Sequence, residues 1–133
     1  MISNNLFSLK GKTALVTGGS TGIGLMATVG LVSAGAKVFI VSRKLENCQN
    51  AAKELNNYGF EGEVIPFKGD LSSEVGINTI TDEVYSNNSE LHILINNAGR
   101  TWGSDLNRFP YGAWAKVFNL NVSALFYLTQ KLV

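Results

Sequence analysis

The stretch Lys12-Thr-Ala-Leu-Val-Thr-Gly-Gly-Ser-Thr-Gly-Ile-Gly24 joins three segments with different structural preferences. Its first part, 13–17, is a short apolar run with β-branched residues, which predicts a strand buried on both faces. A helix N-terminus is predicted to follow the glycines, and its free N–H groups and dipole favour an anion at the carboxyl end of the strand. The apolar residues at helical spacing that predict this helix are Ile23, Ala27, Gly30, Leu31 and Ala34.

Three glycines in this turn have separate predicted tasks. Gly18 permits a tight turn, Gly22 lets the backbone approach a pyrophosphate, and Gly24 lets the helix lie close to the strand. Their Gly-x-x-x-Gly-x-Gly spacing differs from the general dinucleotide fingerprint G-x-G-x-x-G. A flexible glycine loop is the alternative, but a strand before the turn and a helix after it favour a nucleotide-binding turn.

Strand-like and helix-like segments alternate along the rest of the chain. Apolar runs predict further strands at 37–41, 63–67 and 92–96, and Pro66 predicts an edge position for the third strand. Helices are predicted over 44–57, from Ser72 or Ser73 to about residue 86, and from Pro110 onward. The alternation implies right-handed crossovers and a parallel α/β sheet of strand order 3-2-1-4, with the ligand beside the first strand.

The composition restricts the class of protein. Of the 133 residues, 45% are hydrophobic, which is a globular value and suffices for one domain with a core. The 11 basic and 10 acidic residues form no blocks, so we expect neither a nucleic acid nor a membrane surface as a partner. The single cysteine, Cys48, cannot form an internal disulfide, and residues 1–10 carry no leader pattern, so we expect a cytoplasmic protein. No metal site is expected.

The segment Thr17-Gly-Gly-Ser-Thr-Gly-Ile-Gly24 resembles the TGxxxGIG cofactor motif of the short-chain dehydrogenase/reductase family. Asn96-Asn-Ala-Gly99, after the fourth predicted strand, matches the family's NNAG motif, for which an ordinary asparagine-glycine turn is the alternative. The resemblance covers residues 7–133 and implies that 1–133 is an NAD(P)-binding domain with a doubly wound Rossmann-type sheet, cut off before the family's fifth strand. The cofactor contacts that it implies in the two motifs are Thr17, Gly18, Ser20, Thr21, Gly22, Ile23, Gly24, Asn97, Ala98 and Gly99.

The end of the second strand indicates which dinucleotide binds. Family members that use NAD usually carry an aspartate there, whereas this chain has Ser42 followed by Arg43. A carboxylate would repel a 2′-phosphate and an arginine can pair with it, so NADP is the expected cofactor, unless Arg43 is merely a solvated loop residue. After the third strand, Asp70 and Leu71 resemble the family's adenine-contacting pair, although they also fit a turn and helix cap.

Asn121 lies seven residues after Trp114 and resembles the family's catalytic asparagine, with Asn119 as the rival position. In the family, this residue positions a water that links the active-site lysine to solvent. The family's serine and Tyr-x-x-x-Lys pair follow the next strand, and these 133 residues do not include them. Tyr127 and Lys131 have the right spacing, but they share the helix of Asn121, so we interpret the match as coincidence.

The resemblance implies an NADP-dependent oxidoreductase that reduces a carbonyl to an alcohol by hydride transfer. The segment 100–103 resembles reductases of the 3-oxoacyl type, and Trp102 within it is either a substrate contact or a packing residue. We expect the 133 residues alone to be inactive, because the Tyr-x-x-x-Lys pair is missing. A non-catalytic NADP-binding module is the alternative function. The resemblance also implies a homo-oligomer of the full-length form, joined through the last helix.

Overall fold

The computed structural model describes residues 6–87 and 90–133. Residues 1–5, which belong to the segment searched for a leader, and residues 88–89 lie outside the described residues. The strands are β1 (Thr13–Thr17), β2 (Lys37–Ser42), β3 (Glu63–Lys68) and β4 (Ile93–Ile95). The helices are α1 (Gly22–Ser33), α2 (Leu45–Asn57), α3 (Glu74–Asn87), α4 (Tyr111–Phe118) and α5 (Leu125–Leu132), with a 3₁₀ turn at Leu106–Arg108 and a π-helix at Asn119–Ala124.

The four strands form one parallel sheet in the order β3-β2-β1-β4, which confirms the predicted topology. The register pairs Val16 of β1 with Ile40 on one side and with Ile95 on the other. Pro66 of β3 lies opposite Ile40 of β2, and β3 is an edge strand as its proline predicts. With a neighbour on each side, β1 is buried along its whole length.

The core consists of two layers, one on each face of the sheet. Alternate side chains of β1 and β2 point to opposite faces because the side-chain period of a strand is two. Val16 and Ile40 pack with α1 and α2 on one face, and Leu15 and Phe39 pack with α3 and α5 on the other. The fold is therefore doubly wound, as predicted. Within the described residues, no helix has both the length and the apolar character needed to cross a bilayer.

Helix α1 follows the glycine turn as predicted, but the residues whose spacing predicts it are not the ones that it buries most. Ile23 is 77% exposed, and the buried residues of the helix are Gly24, Thr28 and Val32. Thr28 is buried because its Oγ1 donates to the carbonyl oxygens of Gly19 and Gly24, at 3.0 and 2.9 Å. The buried face of α1 therefore combines Gly24 and Thr28, which an apolar pattern does not detect, with the apolar Val32.

The last predicted strand and helix differ from the prediction in detail. His92 precedes β4; its backbone N–H donates to the carbonyl of Thr13, and its Nδ1 accepts from the N–H of Thr13 at 3.1 Å. The predicted long helix begins directly after Pro110, but the π-helix interrupts its regular hydrogen bonding before α5.

Candidate functional site

A groove of ≈ 340 Å³ opens at the carboxyl ends of the strands. It lies where the strand order turns from β1 toward β4, the position at which ligands bind in open α/β sheets. The loops that follow all four strands contribute to its walls. The lining residues are Gly18, Ser20, Thr21, Val41, Ser42, Arg43, Lys44, Asn47, Gly69, Leu71, Asn97, Ala98, Gly99 and Leu120.

The groove brings together most of the predicted cofactor contacts, although they come from four separate loops. Sequence reasoning missed five lining residues, Val41, Gly69, Leu120, Lys44 and Asn47, of which the last two follow Arg43 in the chain. A signal for both was present, since they belong to the short segment that leads from the end of β2 into α2. Six predicted site residues do not line the groove: Thr17, Gly22, Ile23, Gly24, Asp70 and Asn121.

Thr17 and Asn97 connect two walls of the groove. The Oγ1 of buried Thr17 accepts hydrogen bonds from the N–H groups of Asn97 and Ala98, both at 3.0 Å. In return, the Asn97 Nδ2 donates to the carbonyl oxygens of Thr17 and Gly18, at 3.0 and 3.2 Å. Four hydrogen bonds therefore link the glycine turn to the loop after β4.

Gly22 and Gly24 have different structural roles in the glycine turn. Gly22 has φ +55°, a conformation that favours glycine, and open space lies where a Cβ would stand. At Gly24, a Cβ would overlap with the carbonyl oxygen of Gly18 and with the Asn97 Nδ2. Gly24 thus lets α1 approach the end of β1, whereas Gly22 leaves its backbone accessible from solvent.

The turn after β2 carries the cationic part of the groove. The Ser42 Oγ donates to the carbonyl of Lys44 at 3.0 Å and accepts from the Lys44 N–H at 3.2 Å. The buried Cys48 Sγ donates to the same hydroxyl at 3.3 Å. Ser42 therefore fixes the backbone of a turn on which Arg43 and Lys44 are exposed and line the groove.

Asp70 takes part in a tight turn next to the groove. Its Oδ1 accepts from the N–H of Ser72 at 2.9 Å. Hydrogen bonds from the hydroxyl and the backbone of Ser72 hold the pKa of Asp70 below its ordinary value; partial burial opposes this shift, and the charge of Arg43 adds to it. Ser73 caps α3, since its Oγ accepts from the N–H of Gly76 at 3.1 Å. Leu71 is the member of the predicted pair that lines the groove.

Asn121 lies in the π-helix and binds the backbone beyond the NNAG loop. Its Oδ1 accepts from the N–H of Arg100, and its Nδ2 donates to the carbonyl of Arg100, both at 2.9 Å. The side chain therefore holds the loop after β4 with two hydrogen bonds. The rival residue Asn119 faces elsewhere and donates from Nδ2 to the carbonyl of Ser72 at 3.0 Å.

Tyr127 and Lys131 border a different hollow. This hollow, of ≈ 470 Å³, lies between the start of α3 and the helical stretch that ends in α5. It shares only Leu71 with the lining of the groove. The two side chains therefore do not face the space in which the predicted cofactor contacts meet.

Known proteins are similar to this chain over nearly its whole length. Residues 12–133 match the family described as short chain dehydrogenase. A rhamnolipids biosynthesis 3-oxoacyl-[acyl-carrier-protein] reductase from Pseudomonas aeruginosa is 46% identical over 127 residues, which are 96% of this chain and 48% of that protein. Dehydrogenase/reductase SDR family member 11 from Homo sapiens is 37% identical over 120 residues, 90% of this chain and 46% of that protein. The chain thus spans about half the length of these relatives.

Solved structures share the fold. The Pseudomonas aeruginosa RhlG/NADP active-site complex has a TM-score of 0.88 and 44% identity, covering 97% of this chain and 49% of the other. L-sorbose reductase from Gluconobacter frateurii, in complex with NADPH and L-sorbose, has a TM-score of 0.88 and 28% identity, covering 95% of this chain and 48% of the other.

Proposed function

Since the chain belongs to the short-chain dehydrogenase family, as its motifs predict, we propose that residues 1–133 are the cofactor-binding domain of an NADP-dependent carbonyl reductase. One observation carries this proposal: the glycine turn, the cationic turn after β2 and the NNAG loop border a single groove at the switch point of the sheet. An extended dinucleotide needs such a series of contacts, because its adenosine, pyrophosphate and nicotinamide parts must be held separately.

The pyrophosphate is assigned to the glycine turn. Ser20 and Thr21 line the groove immediately before α1, and the open side of Gly22 leaves room for close approach. The N-terminus of α1 supplies free N–H groups and a positive dipole end for the negative charge. Thr17 and Gly24 maintain the shape of this wall through Asn97 and Gly18. Ile23 is the remaining residue of the TGxxxGIG motif in this turn.

The adenosine 2′-phosphate is assigned to the turn after β2. Arg43 offers a planar set of donors and Lys44 a second positive charge on the same wall. Ser42 holds the turn that carries both, and Asp70 and Leu71 are assigned to the adenine side. Relatives described as complexes with NADP or NADPH support this choice of cofactor.

The nicotinamide is assigned to the loop after β4, where Asn97, Ala98 and Gly99 line the groove. When bound, the reduced nicotinamide supplies a hydride to a carbonyl carbon, and a proton donor completes the alcohol. Asn121 is the catalytic residue proposed within this chain, beside the loop that its side chain holds. A 3-oxoacyl group is the first substrate to test, because the relative at 46% identity is a reductase of that type.

Titration of NADPH and NADH into the protein, followed by calorimetry, tests the cofactor. We expect NADPH to bind more tightly, and we expect Gly22→Val to abolish binding while circular dichroism remains close to that of the unmodified protein. Equal affinity for the two cofactors would contradict the assignment to NADP. Normal binding by Gly22→Val would place the ligand elsewhere.

Activity is tested by following NADPH absorbance with a 3-oxoacyl thioester. A polypeptide of residues 1–133 alone should show no turnover, because general acid catalysis contributes about 10²- to 10⁴-fold and the family's Tyr-x-x-x-Lys pair is not among these residues. A longer chain that includes this pair should be active. If the longer chain binds NADPH and reduces no carbonyl compound, the protein is a non-catalytic NADP-binding module.

A further inference from the structure

Two asparagines of the π-helix hold two different loops of the groove. Asn121 forms two hydrogen bonds with the backbone of Arg100, beyond the NNAG loop. Asn119 donates from Nδ2 to the carbonyl of Ser72, in the loop after β3, at 3.0 Å. Between them, Leu120 lines the groove itself. Residues two positions apart on a helix point in nearly opposite directions, so one short segment reaches both loops.

The contact from Asn119 completes the anchoring of Ser72. The N–H of Ser72 donates to the Oδ1 of Asp70 at 2.9 Å, and its carbonyl accepts from Asn119. Both polar groups of the Ser72 backbone are therefore engaged, one within the turn and one with a helix 47 residues further along the chain. Leu71, which lines the groove, lies between the two anchored residues 70 and 72.

We propose that Asn119 is a positioning residue for the adenosine end of the cofactor. It ties the turn at 70–72 to the π-helix and thereby sets where Leu71 borders the groove. The inference rests on the proposed function, because it concerns the binding of the same nucleotide. Asn119 acts through the Ser72 carbonyl and has no part in proton or hydride transfer.

The test compares Asn119→Leu and Asn119→Asp with the unmodified protein. Both variants lose the amide donor, and Asp keeps the shape of the side chain. One neutral hydrogen bond corresponds to about a two- to tenfold change in an equilibrium constant. We expect the affinities for NADPH and for adenosine 2′,5′-bisphosphate, measured by calorimetry, to fall by this factor in both variants. Gln130→Leu, which borders the same hollow as Asn119, is the matched control and should leave both affinities unchanged.

A second readout separates positioning from a general loss of stability. If Asn119 holds Ser72 in place, its removal loosens the hydrogen bonds from Ser72 to Asp70. The pKa of Asp70, measured by carboxyl NMR titration, should then rise toward its ordinary value in Asn119→Leu but not in Gln130→Leu.

Unchanged affinity for adenosine 2′,5′-bisphosphate in both Asn119 variants, with normal binding by the unmodified protein, would overturn this inference and leave the proposed function intact. An unmoved Asp70 pKa would overturn it as well. If the unmodified protein binds neither nucleotide, the proposed function fails, and the role of Asn119 in cofactor binding fails with it.

Discussion

Arg43 is the residue on which the choice between NADP and NAD depends. It lies on a turn whose backbone is held by the Ser42 hydroxyl, and it lines the groove together with Lys44. A hydrogen bond to a charged group contributes about 1.5 to 3 kcal/mol. We expect Arg43→Ala to weaken NADPH binding by roughly ten- to a hundredfold, with little change for NADH, as measured by calorimetry. Lys53→Ala, an exposed lysine of α2, is the control. Equal losses for the two cofactors would mean that Arg43 does not contact the 2′-phosphate.

Asp70 makes the stability of the turn after β3 depend on pH. Because the folded-state pKa of Asp70 is lowered by its hydrogen bonds from Ser72, the carboxylate stabilises the fold above the unfolded pKa of about 3.9. This contribution is lost as the pH falls through the lowered folded-state pKa. We expect Asp70→Asn to lower the free energy of unfolding at neutral pH and to have less effect below about pH 3.

Urea denaturation at both pH values measures this difference, with Asp82→Asn on α3 as the control. A loss of the same size in Asp70→Asn at both pH values would show that the charge of Asp70 does not stabilise the turn.

At the scale of elements, two of the three glycines of α1, Gly24 and Gly30, lie in contrasting surroundings. A Cβ at Gly24 would overlap with the Gly18 carbonyl oxygen and the Asn97 amide, whereas a Cβ at Gly30 would meet no atom within 4 Å. We expect Gly24→Ala to lower the free energy of unfolding by about 1 to 3 kcal/mol. Gly30→Ala should raise it by about 0.5 to 1 kcal/mol, because glycine is unfavourable inside a helix.

Chemical denaturation of the two variants provides the measurement. The same substitution in the same helix should change stability in opposite directions. If Gly24→Ala were as stable as Gly30→Ala, the close approach of α1 to the glycine turn would not be required for folding.

At the scale of the whole molecule, the helical stretch from α4 to α5 presents large apolar side chains to solvent. Trp114, Phe118, Phe126 and Tyr127 are each more than half exposed. Exposed apolar side chains in such number favour association with another surface. We expect the protein to self-associate through the stretch from α4 to α5 as its concentration rises, which sedimentation velocity can measure.

Phe126→Glu should lower the associated fraction, because it places a charge among the exposed apolar side chains of α4 and α5. Met26→Glu, which changes an equally apolar and 71% exposed residue on α1, should not. A protein that is monomeric at all concentrations, or an equal effect of the two substitutions, would contradict association through α4 and α5.

The sequence by itself determined the order of the strands, the place of the glycine turn and the family. Strands buried on both faces must be continuously apolar, and the glycines at 18, 22 and 24 occur where side chains are excluded or φ is positive. These constraints act within a few residues of the chain. Local sequence patterns therefore predict β1 to β3 and the glycine turn. The alternation of strands and helices then predicts the parallel sheet.

Only the tertiary structure decided which side chains hold the groove together. Thr17 binds Asn97 across 80 residues, Ser72 binds Asn119 across 47, and Arg100 binds Asn121 across 21. Partners so far apart are set by the topology of the sheet, and an amide or hydroxyl has no periodic signal in the sequence. Thr28 of α1 is a similar case over a shorter distance. Its buried hydroxyl donates to the carbonyl oxygens of Gly19 and Gly24, nine and four residues earlier in the chain, and an apolar pattern carries no signal for such a contact.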